Sequence, residues 1–352
     1  MNKGLKVLVT GGSGFVGSNV AEFYAKKGNE VIVFDNLSRS DLLKKDTKHR
    51  NYNQNYLDQY KNVLFNNGDI TNFGQINEAC KEVDVIFHIA AQTAVTASLQ
   101  DPQTDFRINA LGTFNVLEAA RKSNNDISII YCSTNKVYGN NVNAIKVKET
   151  ETRYRFEERF KDGVNETFPI DLCEHTPYGC SKLAGDLYAQ DYAQTYGLKT
   201  GIFRMSCIYG SRQFGVEDQG WIAWFAIATV LGIPLTIFGD GKQVRDVLYI
   251  SDLIQAFDNF LARKDKLKGE VFNLGGGKEN SLSLIELLNL LKKLTGKKSK
   301  IRYDDWRSSD QKVYVSNIGK AQKKLDWTPI IHPEEGVKIL VNWIQTNRNL
   351  FD

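Results

Sequence analysis

The chain has 352 residues, of which 42% are hydrophobic and 24% charged, a composition typical of a folded globular protein. This length exceeds what one hydrophobic core usually serves, so we expect a large domain and a smaller one. The 45 basic and 41 acidic residues leave a net charge of only +4, which argues against a nucleic-acid-binding protein and suits a substrate that carries phosphates.

The cysteines favour a reduced, metal-free protein. Their number is odd, no two form a CxxC pair, and no histidines accompany them: Cys80, Cys132, Cys173, Cys180 and Cys207. A hydrophobic strand begins close to Met1, which predicts no signal peptide. The longest apolar run, near Ile222–Leu235, is shorter than the about 20 residues needed to cross a bilayer. We therefore expect a soluble cytoplasmic protein that binds neither metal nor membrane.

Short β-branched runs alternate with helical patterns along the first half of the chain. The predicted strands are Lys6–Thr10, Glu30–Phe34, Val63–Asn66, Val83–Ala90, Ser128–Ser133, Leu198–Met205 and Glu270–Leu274. The predicted helices are Phe15–Lys27, Phe106–Lys122 and Gly179–Tyr196. This alternation predicts an α/β fold with a doubly wound parallel sheet and a smaller, interleaved C-terminal substrate-binding α/β domain.

Two long polar segments, Leu37–Lys61 and Asn140–His175, interrupt the alternation and read as loops. Beyond Tyr209 the alternation loosens, apart from the predicted strand that returns to the sheet. We therefore predict a nucleotide-binding domain of residues 1–208, with 246–276 returning to it. The predicted substrate domain comprises 209–245 and 277–352.

A glycine-rich turn directly follows the first strand and opens the first helix. Glycine permits a sharp turn, a close approach of the backbone to a pyrophosphate, and tight packing of helix on strand. The helix N-terminus presents N–H groups to the phosphates. The context of strand, glycines and helix predicts a dinucleotide site of Rossmann type, formed by Gly11, Gly14, Phe15, Val16 and Gly17.

The second strand runs into Asp35, 18 residues after Gly17. A carboxylate there can accept hydrogen bonds from the adenosine ribose and would repel a 2′-phosphate. Asp35 therefore predicts NAD, although the nearby Arg39 keeps NADP open as an alternative.

Tyr178 and Lys182 lie four residues apart at the start of a predicted helix, on the same face. We expect the ammonium and the charged nicotinamide to lower the pKa of the tyrosine towards neutrality, so that it can act as a base towards a sugar hydroxyl. A YxxxK spacing occurs by chance, and its weight comes from its position after the Ser133-Thr134 pair at a strand end. Thr134 is predicted to orient the reacting oxygen.

With these marks in place, the chain resembles the extended short-chain dehydrogenases of the NAD-dependent epimerase/dehydratase family. The motifs that carry the resemblance span nearly the whole chain: TGGSGFVG, FDN, GDI, HIAAQ, INALGTFNVLEAAR, STNKVYG, YGCSK and VRDVLYISD. Within the family, ETETRY, HTPYGCSK, SRQFGVEDQGW and GKQVRDV are most similar to the branch of CDP-paratose 2-epimerases.

The resemblance implies roles for individual residues. Tyr178 would be the base, Lys182 its partner, and Thr134 the hydroxyl that orients the substrate. The implied cofactor contacts, besides Tyr178 and Lys182, are Asn36, Asp69, Ile70, Ala90, Ala91, Gln92, Asn109 and Ser133. The implied substrate contacts, besides Thr134, are Cys207, Gln219, Arg245 and Arg307. The two arginines resemble those that grip the pyrophosphate of a nucleotide sugar, but each also suits a surface ion pair.

Two departures from related enzymes discriminate within the family. The 4,6-dehydratases carry an Asp-Glu pair after the threonine to eliminate water, whereas this chain has Asn135 and Lys136, which disfavours dehydration. Cys207 stands where the 4-epimerases carry asparagine, so the sugar is expected to be held differently.

The resemblance therefore implies an NAD-dependent epimerase that inverts C2 of a CDP-sugar through a transient ketone. A UDP-hexose 4-epimerase and a non-catalytic NAD-binding regulatory protein remain alternatives. The resemblance also implies a homodimer, or a higher homo-oligomer, assembled through the helices near Phe106–Lys122 and Gly179–Tyr196.

Overall fold

The computed structural model of the protein describes residues 4–42, 51–123, 126–307 and 310–351. Its strands are β1 (Lys6–Thr10), β2 (Glu30–Asp35), β3 (Val63–Asn67), β4 (Val85–His88), β5 (Ser128–Thr134), β6 (Val147–Glu149), β7 (Tyr154–Phe156), β8 (Lys199–Met205), β9 (Cys207–Tyr209), β10 (Leu235–Phe238), β11 (Val244–Tyr249), β12 (Glu270–Leu274), β13 (Ser281–Ser283), β14 (Ile301–Asp304) and β15 (Val313–Tyr314). Its α-helices are α1 (Phe15–Lys26), α2 (Arg39–Leu42), α3 (Tyr52–Leu57), α4 (Phe73–Ala79), α5 (Val95–Gln100), α6 (Pro102–Phe106), α7 (Gly112–Lys122), α8 (Pro177–Thr195), α9 (Trp221–Leu231), α10 (Ile250–Leu261), α11 (Lys264–Leu267), α12 (Leu284–Thr295), α13 (Gly319–Leu325) and α14 (Pro333–Thr346).

The chain divides into two compact units. Unit 1 comprises Met1–Val137, Thr176–Arg204 and Ile254–Phe272. Unit 2 comprises Tyr138–His175, Met205–Leu253 and Asn273–Asp352. The predicted domain boundaries differ from this grouping in four segments: residues 138–175, 205–208, 246–253 and 273–276. Residues 138–175 group with unit 2, and so does β11, because it pairs there with β9, β13 and β15.

Unit 1 is built on a seven-stranded sheet with the strand order β12-β8-β5-β4-β1-β2-β3. β1 pairs in parallel with both β2 and β4, and β4 pairs in parallel with β5. The strands β1, β4 and β5 are buried along almost their whole length, which explains their uninterrupted apolar sequences. The predicted Rossmann-type doubly wound sheet is confirmed.

The strand order of unit 1 reverses between β1 and β4. In doubly wound sheets, ligands bind outside the carboxyl ends of the strands at such a switch point. The glycine turn after β1 and the residues after β4 both leave the sheet here. This edge therefore contains the candidate cofactor site.

The predicted helix Phe106–Lys122 is not a continuous α-helix. A π-helical stretch, Arg107–Leu111, separates α6 from α7. Such wide turns are rare and often occur at functional sites. The sequence pattern does not reveal it, because one continuous helix is predicted over Phe106–Lys122.

Unit 2 contains a sheet of β13, β11 and β15, to which β9 adds by pairing with β11, and a parallel pair of β10 and β14. In it, Arg245 lies opposite Leu282 and Tyr314. Among the described residues, no helix of either unit is both long and apolar enough to span a bilayer.

The prediction of two long loops was wrong. The segment Leu37–Lys61 contains α2 and α3, although its residues 43–50 lie outside the described residues. The segment Asn140–His175 contains β6 and β7, which pair antiparallel with Val147 opposite Phe156. Elements of three to six residues are too short to show a hydrophobic period, which is why the sequence pattern missed them.

Candidate active site

The glycine turn of unit 1 is fixed by backbone packing at two of its glycines. Gly11 has φ +69°, donates its N–H to Phe34 O at 2.9 Å, and a Cβ there would lie 2.7 Å from Ala90 N. A Cβ on Gly17 would lie 2.1 Å from Gly11 O. Both positions therefore exclude any side chain.

Gly14 differs, because a Cβ on it would meet only Gly11 O, at 3.2 Å. Gly14 is the N-cap of α1, where no side chain caps the helix and no acidic residue lies in the first turn. An N-terminus with no side-chain cap and no acidic residue in its first turn suits a pyrophosphate. The residues of this turn thus fit the NAD that the sequence predicts.

Asp35 is tied to the glycine turn. Its carboxylate accepts hydrogen bonds from Ser13 N at 2.9 Å and from Leu37 N at 2.8 Å. Burial raises the pKa of Asp35, and the backbone N–H donors oppose that rise. Because a carboxylate has about four acceptor sites, the two oxygens can still accept from a ribose. Arg39, the residue that kept NADP open, lies half-buried in α2.

The predicted adenine-side residues lie together beyond β2 and β3. Asn36 Nδ2 donates to Asp69 Oδ2 at 3.1 Å, and Asp69 Oδ1 accepts from Thr71 N at 2.7 Å. The carbonyl of Ile70 accepts from Asn115 Nδ2 at 2.9 Å. These contacts fix the loop that the prediction places against adenine.

A buried polar network connects the other predicted cofactor residues. Asn109, within the π-helical stretch, accepts from Gln92 N at 2.9 Å and donates to Gln92 O at 2.9 Å. Its Nδ2 also contacts Asp105 Oδ1 at 3.0 Å and Ser181 Oγ at 3.2 Å. Ser181 donates in turn to Asp105 Oδ2 at 2.5 Å. The network therefore joins the segment after β4 to the helix that carries Tyr178 and Lys182.

Asp105 is a residue that sequence reasoning missed. It is only 1% exposed and also accepts from Gln92 Nε2 at 2.8 Å. Burial raises its pKa, while hydrogen bonds from Ser181 and Gln92 oppose the rise. Its spacing of four residues from Asn109 could have indicated a shared helix face.

Tyr178 and Lys182 lie in the first turns of α8. Thr176 caps this helix, since its Oγ1 accepts from Gly179 N at 3.2 Å. Lys182 is only 3% exposed, and its Nζ lies 4.5 Å from the centre of the Tyr131 ring. Tyr131 holds the same turn by donating its hydroxyl to Lys182 O at 3.1 Å.

Burial dominates the titration of both catalytic candidates. It raises the pKa of Tyr178 to about 12, against a hydrogen bond from Thr134 that lowers it. It lowers the pKa of Lys182 to about 8, against the charges of Cys132, Asp186 and Asp105. Burial therefore opposes the predicted lowering of the Tyr178 pKa, which counts on the charge of the nicotinamide as well as on the ammonium and stays a prediction.

Ser133 and Thr134 end β5 with different partners. Ser133 Oγ donates to Asp186 Oδ2 at 2.6 Å, and Asp186 also accepts two hydrogen bonds of 3.0 Å from Arg204. Thr134 contacts Tyr178 and Asn135, with its Oγ1 3.3 Å from Asn135 Oδ1. The structure thus brings Thr134, rather than the Ser133 hydroxyl, to Tyr178.

The predicted substrate contacts of unit 2 form a linked cluster. Trp221 Nε1 donates to Cys207 Sγ at 3.2 Å, while the backbone of Gln219 pairs with Val216. In the same loop, Asp218 Oδ1 lies 3.3 Å from Arg307 Nη2. The Arg307 guanidinium also lies 3.9 Å from the centre of the Phe238 ring.

Arg245 is held by the residues that follow Arg307. Its Nη2 donates to Asp310 Oδ1 at 2.6 Å, and its Nη1 donates to Gln311 O at 2.6 Å. Asp310 N donates to Arg307 O at 3.2 Å, so the residue that holds Arg245 is itself hydrogen-bonded to Arg307. Both arginines have an acidic partner, and their role as pyrophosphate ligands stays a prediction.

The segment 138–175 contributes to this cluster. Asn143 binds the backbone on both sides of Gln311: its Nδ2 donates to Asp310 O at 3.0 Å, and its Oδ1 accepts from Lys312 N at 3.3 Å. Arg153 anchors the segment through Glu286, with Nε to Oε1 at 2.6 Å. The segment therefore supports Asp310 and Gln311, the residues that hold Arg245.

Comparison with known proteins identifies the family. The NAD dependent epimerase/dehydratase family matches residues 7–275. A CDP-paratose 2-epimerase from Salmonella typhi is 43% identical over 346 residues, which cover 96% of this chain and 99% of that protein. The chain belongs to the NAD dependent epimerase/dehydratase family.

Other family members are similar along their whole length. A putative UDP-glucose 4-epimerase from Methanocaldococcus jannaschii is 34% identical and covers 97% of this chain and 99% of its own length. The UDP-glucuronic acid 4-epimerase from Bacillus cereus, solved with UDP-glucuronic acid and NAD, is 27% identical, with a TM-score of 0.80 over 97% of this chain and 99% of that one. The predicted class, an NAD-dependent nucleotide-sugar epimerase, is confirmed.

Proposed function

We propose that the enzyme is a 2-epimerase that converts CDP-paratose to CDP-tyvelose. The observation that carries the proposal is the 43% identity, over nearly the whole chain, to a CDP-paratose 2-epimerase. The residues after Thr134 agree with it. Asn135 and Lys136 stand where the 4,6-dehydratases carry their acidic pair, so dehydration is disfavoured relative to oxidation and reduction at one carbon.

In the proposed reaction, Tyr178 removes the proton of the C2 hydroxyl, and Thr134 holds that oxygen against the tyrosine. The 2-keto sugar then presents its opposite face, and Tyr178 returns the proton as C2 is reduced again. Bound NAD supplies a reversible hydride acceptor and a positive charge that lowers the pKa of Tyr178. The ammonium of Lys182 contributes a second positive charge near Tyr178. Burial and the contact with the Tyr131 ring keep this ammonium in one position.

The proposed cofactor contacts follow the geometry of unit 1. The turn Gly11–Gly17 would hold the pyrophosphate, Asp35 and Asn36 the adenosine ribose, and Asp69 and Ile70 the adenine. The remaining contacts would come from the segment after β4 and from its buried partners: Ala90, Ala91, Gln92, Asn109 and Ser133.

The preference for a CDP-sugar is also part of the proposal. Arg245 and Arg307 would bind the pyrophosphate, for which a planar guanidinium is suited. Gln219 and Cys207 would contact nucleotide and sugar from the same cluster. The thiol of Cys207 is a weak hydrogen-bonding group and already accepts from Trp221, which suits a sugar that lacks hydroxyl groups.

The deciding experiment is to incubate the purified enzyme with CDP- and UDP-hexoses in heavy water, without added cofactor, and to record proton NMR spectra. Inversion at C2 of a CDP-sugar, with no deuterium incorporated at that carbon, is the expected result. Inversion at C4 of a UDP-sugar would overturn the proposal in favour of a 4-epimerase. Absence of turnover with every sugar would favour a regulatory NAD-binding protein.

We further propose a homodimer that forms through the surface of residues 106–122 and of α8. Large apolar side chains are exposed there, from 39% for Leu111 to 58% for Phe106, together with Leu187 and Tyr188. Exposed apolar patches of this kind mark association surfaces. Light scattering should give twice the chain mass, and Leu187→Lys should give a monomer. Leu64→Lys, at an equally exposed leucine in β3, is the matched control, and a monomeric unmodified enzyme would contradict the proposal.

A cytoplasmic location is proposed on the cysteines. All five are free thiols in the structure, and two of them, Cys80 and Cys132, are buried. Reduced thiols in this number suit a reducing compartment. Fractionation of the native cells should recover the enzyme with the cytoplasmic proteins, and recovery with an extracytoplasmic fraction would contradict this location.

A further inference from the structure

His88 is a buried titratable residue that the reaction described above does not use. It ends β4, is 2% exposed, and lies within the HIAAQ motif. Its Nδ1 lies 2.8 Å from Thr10 Oγ1 and its Nε2 lies 2.9 Å from Thr113 Oγ1. Both ring nitrogens are therefore engaged, one with the strand that leads into the glycine turn and one with α7.

The neighbouring hydrogen bonds determine which atom donates and which accepts in the two contacts of His88. Thr10 Oγ1 accepts from the backbone N–H groups of Ile89 and Ala90 at 3.2 and 3.3 Å, so its own proton points to His88 Nδ1. Thr113 donates its proton to Asn109 O at 2.6 Å, so it accepts from His88 Nε2. The imidazole is thus neutral with the proton on Nε2, and the relay runs from Thr10 through His88 and Thr113 to Asn109.

Charge around the ring agrees with the neutral form. Burial, with the nearby ammonium of Lys182, lowers the pKa of His88 to about 3. The ring stacks on Tyr131 at 5.6 Å, and Tyr131 contacts Lys182 through both its ring and its hydroxyl. A protonated His88 would place a second positive charge near the ammonium of Lys182, because both residues contact the Tyr131 ring.

We propose that His88 is a positioning residue with two separate branches. Through Thr10 it sets the loop of Ile89 and Ala90, against which Gly11 packs. Through Thr113 it sets the carbonyl of Asn109 in the π-helical stretch, and with it the network beneath Tyr178 and Lys182. The first branch serves binding of NAD, and the second serves the chemical step.

The two branches can be separated with two variants of one residue. His88→Asn places an amide oxygen where Nδ1 lies and keeps the acceptor for Thr10, but it cannot reach Thr113. His88→Gln places an amide N–H where Nε2 lies and keeps the donor to Thr113, but Thr10 loses its acceptor. If His88 only filled space, the His88→Asn and His88→Gln variants would behave alike.

The measurements are NAD affinity by calorimetry on the stripped protein, and kcat and KM of epimerisation at saturating NAD. For His88→Asn we expect kcat to fall about tenfold, since one buried hydrogen bond is lost near the reacting groups, and NAD affinity to fall by less, because Asn109 is also a proposed cofactor contact. For His88→Gln we expect NAD affinity to fall about tenfold with kcat nearly unchanged. Thr113→Val should reproduce the kinetics of His88→Asn.

Thr200→Val is the control for stability alone, because Thr200 is fully buried and donates to Ala189 O at 2.8 Å outside the relay. It should lower the melting temperature without changing NAD affinity or kcat. Equal losses in both His88 variants, following their melting temperatures as in the control, would overturn the proposal. The NAD measurement needs no sugar, so failure of the proposed substrate and failure of this inference are distinguishable.

Discussion

The polar centres of the two units are built differently. In unit 1 the residues around Tyr178 and Lys182 are almost completely buried, and Asp186 and Arg204 form an ion pair with side chains that are 0% and 4% exposed. In unit 2, Arg245 and Asp310 form a pair with side chains that are 13% and 22% exposed. One centre is closed to water and the other is partly open.

The difference follows from what each centre is proposed to do. The catalytic groups must keep one geometry through oxidation and reduction, and buried, fully bonded polar groups hold it. The arginines must exchange a carboxylate for a pyrophosphate each time the substrate binds, and a partly exposed ion pair costs less to separate than a fully buried one. The predictions below test this contrast in decreasing order of expected effect.

Tyr178→Phe should have the largest effect on the buried centre. It removes the proposed base, so we expect kcat to fall about 10³-fold while KM for the nucleotide sugar stays nearly unchanged. Steady-state kinetics with NMR detection of the product measure both values. Full turnover by the variant would remove Tyr178 from the mechanism.

The two ion pairs should differ sharply in what they contribute to stability. Asp186→Asn leaves a buried guanidinium without its counter-charge, and we expect the free energy of unfolding to fall by about 3–5 kcal/mol. Asp310→Asn, the matched change in unit 2, should cost less than about 1 kcal/mol. Urea unfolding of both variants makes the comparison, and similar losses would show that the contrast in burial has no energetic consequence.

Lys182→Met should stabilise the protein while it abolishes activity. The folded pKa of Lys182, about 8, is below the ordinary value, so its burial cost is complete below pH 8 and is relieved as pH rises towards about 10.4. We therefore expect the variant to be more stable at pH 7 by up to about 3 kcal/mol, with the gain shrinking at pH 10. Thermal unfolding at the two pH values tests this, and a less stable variant at pH 7 would contradict the sign.

Arg245→Lys should affect substrate binding alone. Lysine keeps the charge but loses the planar donor pair, so we expect KM for the nucleotide sugar to rise about tenfold with little change in kcat. The same change at Arg155, an exposed arginine of β7, is the control. A loss confined to kcat would place Arg245 in the chemical step instead.

Asn143→Ala should give the smallest effect. It removes the hydrogen bonds of Asn143 to Asp310 and Lys312 and should raise KM about threefold, since both of these contacts are exposed. Asn141→Ala removes hydrogen bonds to Pro169 O and Asp171 O within the same segment and should leave KM unchanged. If both variants behave alike, the segment acts as a whole and Asn143 has no special part.

Local spacing predicted the features that depend on neighbours in sequence. The glycine turn, Asp35 at the end of β2 and the Tyr178–Lys182 pair all follow from short motifs in the context of one strand and one helix. The doubly wound sheet followed from the alternation of strands and helices.

Features that depend on distant partners could not be predicted in this way. Asp105 meets Ser181 across 76 positions of sequence, and Asn143 meets Asp310 across 167. The π-helical stretch of Asn109 leaves no mark in the apolar pattern. Burial raises the pKa of Tyr178, and a motif cannot predict this contribution because it carries no information on desolvation.

The division of the chain has a consequence for biosynthesis. The chain passes from one unit to the other five times, after Val137, His175, Arg204, Leu253 and Phe272. Unit 1 therefore acquires its last segment, Ile254–Phe272, only when about three quarters of the chain has left the ribosome, and unit 2 must wait for the C-terminus. Pairings of such long range form slowly, so incomplete chains expose unpaired sheet edges for most of their synthesis. A chain that terminates before Phe272 therefore leaves both units incomplete.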